Sequence, residues 1–156
     1  ILSIVTGADT PVLRTEGIKV PKVTKEILRL IKNMEETLED EGGLGLAAPQ
    51  IGESKQICLA RFAGKLNVLI NPEITWRSEE TIMEEEGCLS LPKITVEVSR
   101  PREVAITYLN EKGEKQERHL IDMDARVVQH ETDHLNGVMI VDYMKSSITE
   151  SMSQNI

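Results

Sequence analysis

Residues 122–137 read DMDARVVQHETDHLNG, and the backbone adopted there decides what fold the chain can have. The spacing predicts a helix. Asp122 or Asp124 is placed to cap its start, and Asn136-Gly137 to end it, because a glycine just past the last turn accepts the left-handed conformation. Four residues of helix advance about 6 Å and turn the chain little more than once, so His130 and His134 lie one above the other on a single face. That is the spacing at which two imidazoles hold one metal ion, with Glu131 beside them as a candidate general base. Two histidines can also share a helix face by accident, and a complete site needs a third ligand.

Upstream, Ile27, Leu30, Ile31, Met34 and Leu38 recur at helical spacing, with Thr24 placed as the cap. This first helix is expected from about residue 25 to 41, ending at Gly42-Gly43. Strand-like stretches follow at 56–62, 66–71, 81–86, 94–99, 103–110 and 115–121, with NEKG (110–113) as the turn of a hairpin between the last two. VMIVDY (138–143) reads as one more short strand. A helix, many strands and then the motif helix packed against them make an α+β domain. No repeat, low-complexity tract or linker divides the chain, so one domain over residues 1–156 is expected.

The 156 residues suffice for a proper core. Aromatics make up only 3%, so Leu, Ile, Val and Met must fill it. A net charge of -8 disfavours nonspecific binding to nucleic acid or anionic lipid. No apolar run approaches the ~20 residues of a membrane span. The opening ILSIVTGADTPVLR lacks the pattern of a secretory signal. Two cysteines are too few for a disulfide framework, which favours a reducing, cytoplasmic setting.

Cys88, in EGCLS (86–90), is the best third ligand: a glycine before it and a serine after it suggest an irregular, accessible turn. Cys58, inside QICLARF, reads as a buried strand thiol. One thiolate and two imidazoles leave a tetrahedral ion one open position, which is the arrangement of a catalytic site rather than a structural one. His119, on a polar strand, is expected to be solvated. GLGLAA (43–48) fits the dinucleotide pattern G-x-G-x-x-A but follows a helix instead of a strand, and Pro49 argues against a helix after it, so a nucleotide site is rejected. Those glycines let the backbone pass close to a ligand or make a tight turn.

GLGLAAPQ (43–50), EGCLS (86–90) and QHETDHLNG (129–137), in this order and spacing, resemble the three signature segments of the peptide deformylases; TPVLR near the start and LINPE (69–73) extend the likeness over nearly the whole chain. The resemblance implies antiparallel β-sheets packed around a central helix bearing the H-E-x-x-H pair. It also implies removal of the N-formyl group from the N-terminal formyl-methionine of nascent polypeptides. By the same resemblance Cys88, His130 and His134 are the metal ligands and Glu131 the general acid/base. Gln50 and the backbone N–H of Leu89 are oxyanion donors, Gly45 and Leu46 align the peptide backbone, and Leu44 and Val127 line the methionine pocket. The implied cofactor is one divalent ion, Fe2+ in the cell, with Zn2+, Ni2+ or Co2+ acceptable in the purified protein. The partners implied are N-formylmethionyl nascent peptides and a transient contact with the ribosome, with no direct nucleic-acid or membrane binding and a monomeric state.

Asp133, read from the chemistry, either orients a ligand or forms a helix-surface pair. Two departures stand out: IDMDARVV precedes the motif where the family often has a glycine and then leucines, and Glu84 stands where an apolar pocket residue is common. The tail after Tyr143 is shorter than the long C-terminal helix of some members, which weighs against ribosome docking through such a helix. Three rivals remain: an H-E-x-x-H zinc metallopeptidase with Asp142 or Glu150 as third ligand, an enzyme using Cys88 as nucleophile, and a closed structural metal site in a binding module.

Overall fold

The computed structural model describes residues 1–144; the tail from 145 to 156, with Glu150, lies outside the described residues. Helix α1 (Lys25–Glu41) starts where Thr24 Oγ1 accepts the Ile27 N–H and ends at Gly42 in the left-handed conformation (φ 69°). Its buried face runs through Ile27, Ile31, Met34 and Leu38, the three-to-four spacing of an amphipathic helix. These residues pack on Leu46, Ile57, Leu59, Val68 and Ile70 of the sheet.

Strands β1 (Gly45–Ala47), β2 (Ile57–Phe62), β3 (Lys65–Arg77), β6 (Glu103–Leu109) and β7 (Lys115–Ile121) form one sheet in the order β1-β2-β3-β6-β7, every neighbour antiparallel. Strands β4 (Thr81–Cys88) and β5 (Leu91–Pro101) pair separately as a hairpin. β2 explains the unbroken apolar run of ICLA: Ile57 and Leu59 face α1, whereas Cys58, Ala60 and Phe62 join a second apolar cluster with Val128 and Leu135 of helix α2 (Asp122–Leu135). A strand buried on both faces has no polar side to alternate with. α2 therefore lies on the opposite sheet face from α1, and on its other side Arg126 donates to the carbonyls of Ile82 and Val98 in the β4–β5 hairpin. Helix α2 thus lies between the sheet and the hairpin.

The expected hairpin turn forms at 110–113, where Asn110 Oδ1 accepts the N–H groups of Lys112 and Glu114. β3 runs past the expected 66–71 because a register shift at Asn71-Pro72 absorbs the proline, and the Asn71 side chain bonds both backbone groups of Val20. The residues after Pro49 form a 3₁₀ turn, Ala48–Ile51, which tolerates the proline in its first turn, where no N–H is needed.

Two expectations are corrected. VMIVDY is not a strand: residues 140–144 are helical, with Asp142 Oδ2 accepting the Met139 N–H as a local cap. An apolar run that short fits either backbone, and here Met139, Ile140 and Val141 are buried against Leu13 and β5. Neither aspartate caps α2 through its side chain, although the helix begins at Asp122 as expected. Asp122 pairs with Arg102, and Asp124 accepts the Ala63 N–H.

Candidate metal centre

Helix α2 presents His130 and His134 on one face, ring centroids 5.1 Å apart. Cys88 ends β4, where the hairpin register shifts and frees the chain from strict pairing. Its Sγ lies 3.3 Å from His134 Nε2, and one ligand atom from each of Cys88, His130 and His134 falls within 4.8 Å of the others. Three donors bound about 2.0–2.3 Å from a common ion stand roughly 3–4 Å apart, so the triangle needs little closing to hold a metal. His130 turns Nδ1 to Glu86 Oε1 at 2.8 Å, which leaves Nε2 for an ion. His134 Nδ1 is buried without a hydrogen-bond partner among the described residues.

The electrostatics suit a cation. Burial disfavours charge on His130, yet contact with Cys88, the bond to Glu86 and the nearby Glu131 outweigh it and push its pKa up to about 10. The site therefore attracts positive charge. His134 is held down to about 3 by burial and by the charges of His130 and Arg100, so it stays in the neutral form a metal needs. Glu131 is 4% exposed. Burial first, then Glu86 and Asp133, raise its carboxyl to about 7 against the pull of His130 and Arg100, the range in which a carboxylate exchanges protons at neutral pH.

These groups share a cavity of about 380 Å³ whose walls include Leu44, Gly45, Gln50, Cys88, Leu89, Val127, His130 and Glu131. His134, 1% exposed, is not among the lining residues. The Gln50 amide is fixed at both ends: Oε1 accepts the Ala47 N–H at 2.9 Å, and Nε2 donates to Ser90 Oγ at 3.1 Å while standing 3.8 Å from Cys88 Sγ. Of the sequence-derived set, Leu46 alone turns its side chain away, fully buried against α1. What Leu46 offers is main chain: among the described residues β1 pairs only with β2, so its other edge is open beside the cavity.

The residue that sequence reasoning missed is Glu86. Its carboxylate accepts from Arg100 Nε at 2.6 Å and Nη2 at 2.9 Å, from His130 Nδ1, and from Arg126 Nη1. Burial pushes its pKa up, but the bonds from His130 and Arg100 win and hold it at about 2. The signal in the sequence is period-two alternation, which puts Glu86 on the same strand face as Cys88; nothing else within EEEG sets it apart from its neighbours. Asp133 joins this network through Arg100 Nη1 (2.9 Å) and the Tyr143 hydroxyl (2.7 Å). It supports Arg100, and its carboxylate bonds to neither His130 nor His134. Glu84, the departure from an apolar residue, is half-exposed and pairs with Arg126 Nε at 3.4 Å. Cys58 is fully buried, as expected, and burial raises its thiol pKa. His119 is exposed, stacked on Trp76 and bonded to Glu103.

A sequence model of the polypeptide deformylase family matches residues 1–150. The chain is 48% identical over 137 residues to the peptide deformylase of Pseudothermotoga lettingae, covering 88% of this chain and 80% of that one. Among solved structures it resembles the peptide deformylase of Thermotoga maritima, with a TM-score of 0.88 and 42% identity over 91% of this chain and 96% of that one. A Met-Ala-Ser-bound class I type b peptide deformylase from Acinetobacter baumannii matches with a TM-score of 0.86 and 32% identity, covering 91% and 97% of the two chains.

Proposed function

The chain belongs to the peptide deformylase family, and from that membership we infer that it is a hydrolase that removes the N-formyl group from the N-terminal formyl-methionine of nascent polypeptides, releasing formate. The observation that carries the assignment of roles is that Cys88, His130, Glu131 and Gln50 line one cavity while His134 closes a triangle of ligand atoms with Cys88 and His130. We propose Cys88, His130 and His134 as ligands of one divalent ion. A metal in such a set supplies Lewis acidity, which makes water a usable nucleophile at neutral pH and polarises a carbonyl.

The chain's own residues do the rest. Glu131 takes the proton of the attacking water and returns it to the leaving amine, for which a carboxyl near neutrality is suited. Gln50 Nε2 and the Leu89 N–H donate to the oxygen that gains charge as the formyl carbon becomes tetrahedral, a contribution typically worth about 10²–10³ in rate per donor. The open edge of β1, at Gly45 and Leu46, aligns the peptide main chain, and Leu44 and Val127 bound the pocket for the methionine side chain. The Acinetobacter relative binds Met-Ala-Ser, the tripeptide that deformylation of formyl-Met-Ala-Ser would leave.

The same reading makes residues 1–156 one catalytic domain, monomeric and cytoplasmic, meeting the ribosome transiently through its emerging substrates. Fe2+ is its working ion, with zinc, nickel or cobalt taken up on purification. No helix among the described residues is long and apolar enough to cross a membrane. The metallopeptidase alternative suffers from the state of Asp142, whose carboxylate is engaged by Arg14 and the Met139 N–H. Formate release from formyl-Met-Ala-Ser, measured beside a casein digest, tests the assignment: formate without proteolysis is expected, and proteolysis without formate would overturn it.

A further inference from the structure

Gly45 has no backbone reason to be glycine. It lies in β1, and its φ is not in the positive range that disfavours other residues. What excludes a side chain there is one neighbour. A Cβ built on Gly45 would stand 2.5 Å from Glu131 Oε2 and 2.8 Å from both Cδ and Cγ of Glu131, and its three nearest contacts all belong to that residue. Glu131 thus lies with its side chain flat against the Gly45 Cα. Its other oxygen, Oε1, is buried without a hydrogen-bond partner among the described residues, so no described side chain or backbone group fixes the carboxylate from that side. Packing on the β1 backbone remains as the restraint.

We propose that Gly45 is a positioning residue for Glu131: the missing Cβ leaves the slot in which the carboxylate lies, distinct from any main-chain contact Gly45 makes with the peptide. The inference rests on the reading of Glu131 as the base. The obstructed atoms run from Cγ to Oε2 of a flexible side chain beside the cavity, so Gly45→Ala is relieved by turning that side chain aside from Cγ outward. Folding tolerates that displacement, whereas a displacement of about 1 Å at a reacting group costs on the order of 10²-fold in rate.

The test is a double-mutant cycle on the metal-loaded enzyme, with formyl-Met-Ala-Ser as substrate. Gly45→Ala is expected to keep its metal and melt near the wild type. It should lose about 10- to 100-fold in kcat with KM little changed. In the Glu131→Gln background, where the slot is still filled but the base is gone, the same substitution should cost almost nothing further. A rise in KM with kcat intact, an equal loss in both backgrounds, or loss of metal overturns the proposal. Should Gly45→Ala fail to fold, the pair Gly45→Ala/Glu131→Ala decides: recovery of folding supports the contact, and no recovery overturns it. Glu131→Gln turning over at the wild-type rate would sink the base assignment and this inference together, whereas failure of the cycle alone removes only the role of Gly45.

Discussion

Substituting Glu86 by glutamine changes almost no volume but removes the carboxylate that, among the described residues, pairs with both buried guanidinium groups. The side chains of Arg100, Arg126 and Glu86 are 4%, 7% and 6% exposed, so water screens little of their interaction. Breaking a buried ion pair from one side typically costs about 3–5 kcal/mol, because the remaining charge stays desolvated and unpaired. Arg100 keeps Asp133 at 2.9 Å, and Arg126 keeps the half-exposed Glu84 at 3.4 Å. That residual pairing moves the expectation toward the lower bound, about 3 kcal/mol. For a domain of this size 1 kcal/mol shifts Tm by about 2–4 °C, so a fall of roughly 6–12 °C is expected. The variant also presents an amide in place of a carboxylate to His130 Nδ1, and loss of such a support typically weakens metal binding about 10- to 100-fold. Thermal melting of chelator-treated protein reads the first effect, and competition with a chelator of known affinity reads the second. A Tm within 2 °C of the wild type together with unchanged metal affinity would refute the view that Glu86 both neutralises the arginines and orients His130.

Glu131→Gln should keep its metal but lose about 10²- to 10⁴-fold in turnover, the usual worth of general acid–base catalysis; a variant that loses metal yet works when remetallated would reassign Glu131 as a ligand. Gln50→Ala should bind metal and lose about 2.7–4 kcal/mol of transition-state stabilisation, read as a fall in kcat, and an unchanged kcat would remove Gln50 from the reaction. Reconstitution of the stripped protein should give an iron form that is faster when handled anaerobically and decays in air, because a thiolate on ferrous iron is exposed to oxidation, while the zinc form is slower but durable. Equal activity and equal air stability of the two forms would remove the iron assignment.

What was legible in the sequence was what depends on local periodicity. The α1 stripe, the Thr24 cap, the 110–113 turn and the H-E-x-x-H face each require only residues within a turn or two of one another. VMIVDY is ambiguous because six apolar-rich residues fit a strand or a helical turn equally; the local Asp142 cap and the tertiary packing of Met139 to Val141 against Leu13 and β5 decide it. Cys88 could be matched with the histidines by ligand chemistry, since a metal site demands a third donor. Glu86 could not: its partners Arg100, Arg126 and His130 lie 14, 40 and 44 residues away, and nothing local distinguishes a buried glutamate in EEEG from its solvated neighbours. Gly45 was legible as a glycine near a ligand, but Glu131 as the neighbour that excludes a Cβ was not.

The site contains two buried glutamates, and their surroundings push them in opposite directions. Glu86 receives four donor contacts, two of them from one guanidinium, and its carboxyl is held at about 2. Glu131 has one oxygen without a partner among the described residues and the other against a glycine Cα, and its carboxyl rises to about 7. Two like groups set apart in this way fit the proposed division into an acid/base and a fixed charge. Had Arg100 or Arg126 reached Glu131 instead, an ion pair would have lowered its pKa and removed its ability to exchange protons near neutrality. Binding both arginines to Glu86 anchors the β4–β5 hairpin to α2 and, through His130, orients the metal face. It also keeps their hydrogen bonds away from the carboxylate proposed to change its protonation state, so the same ion network that stabilises the site leaves Glu131 available for its proposed role as base.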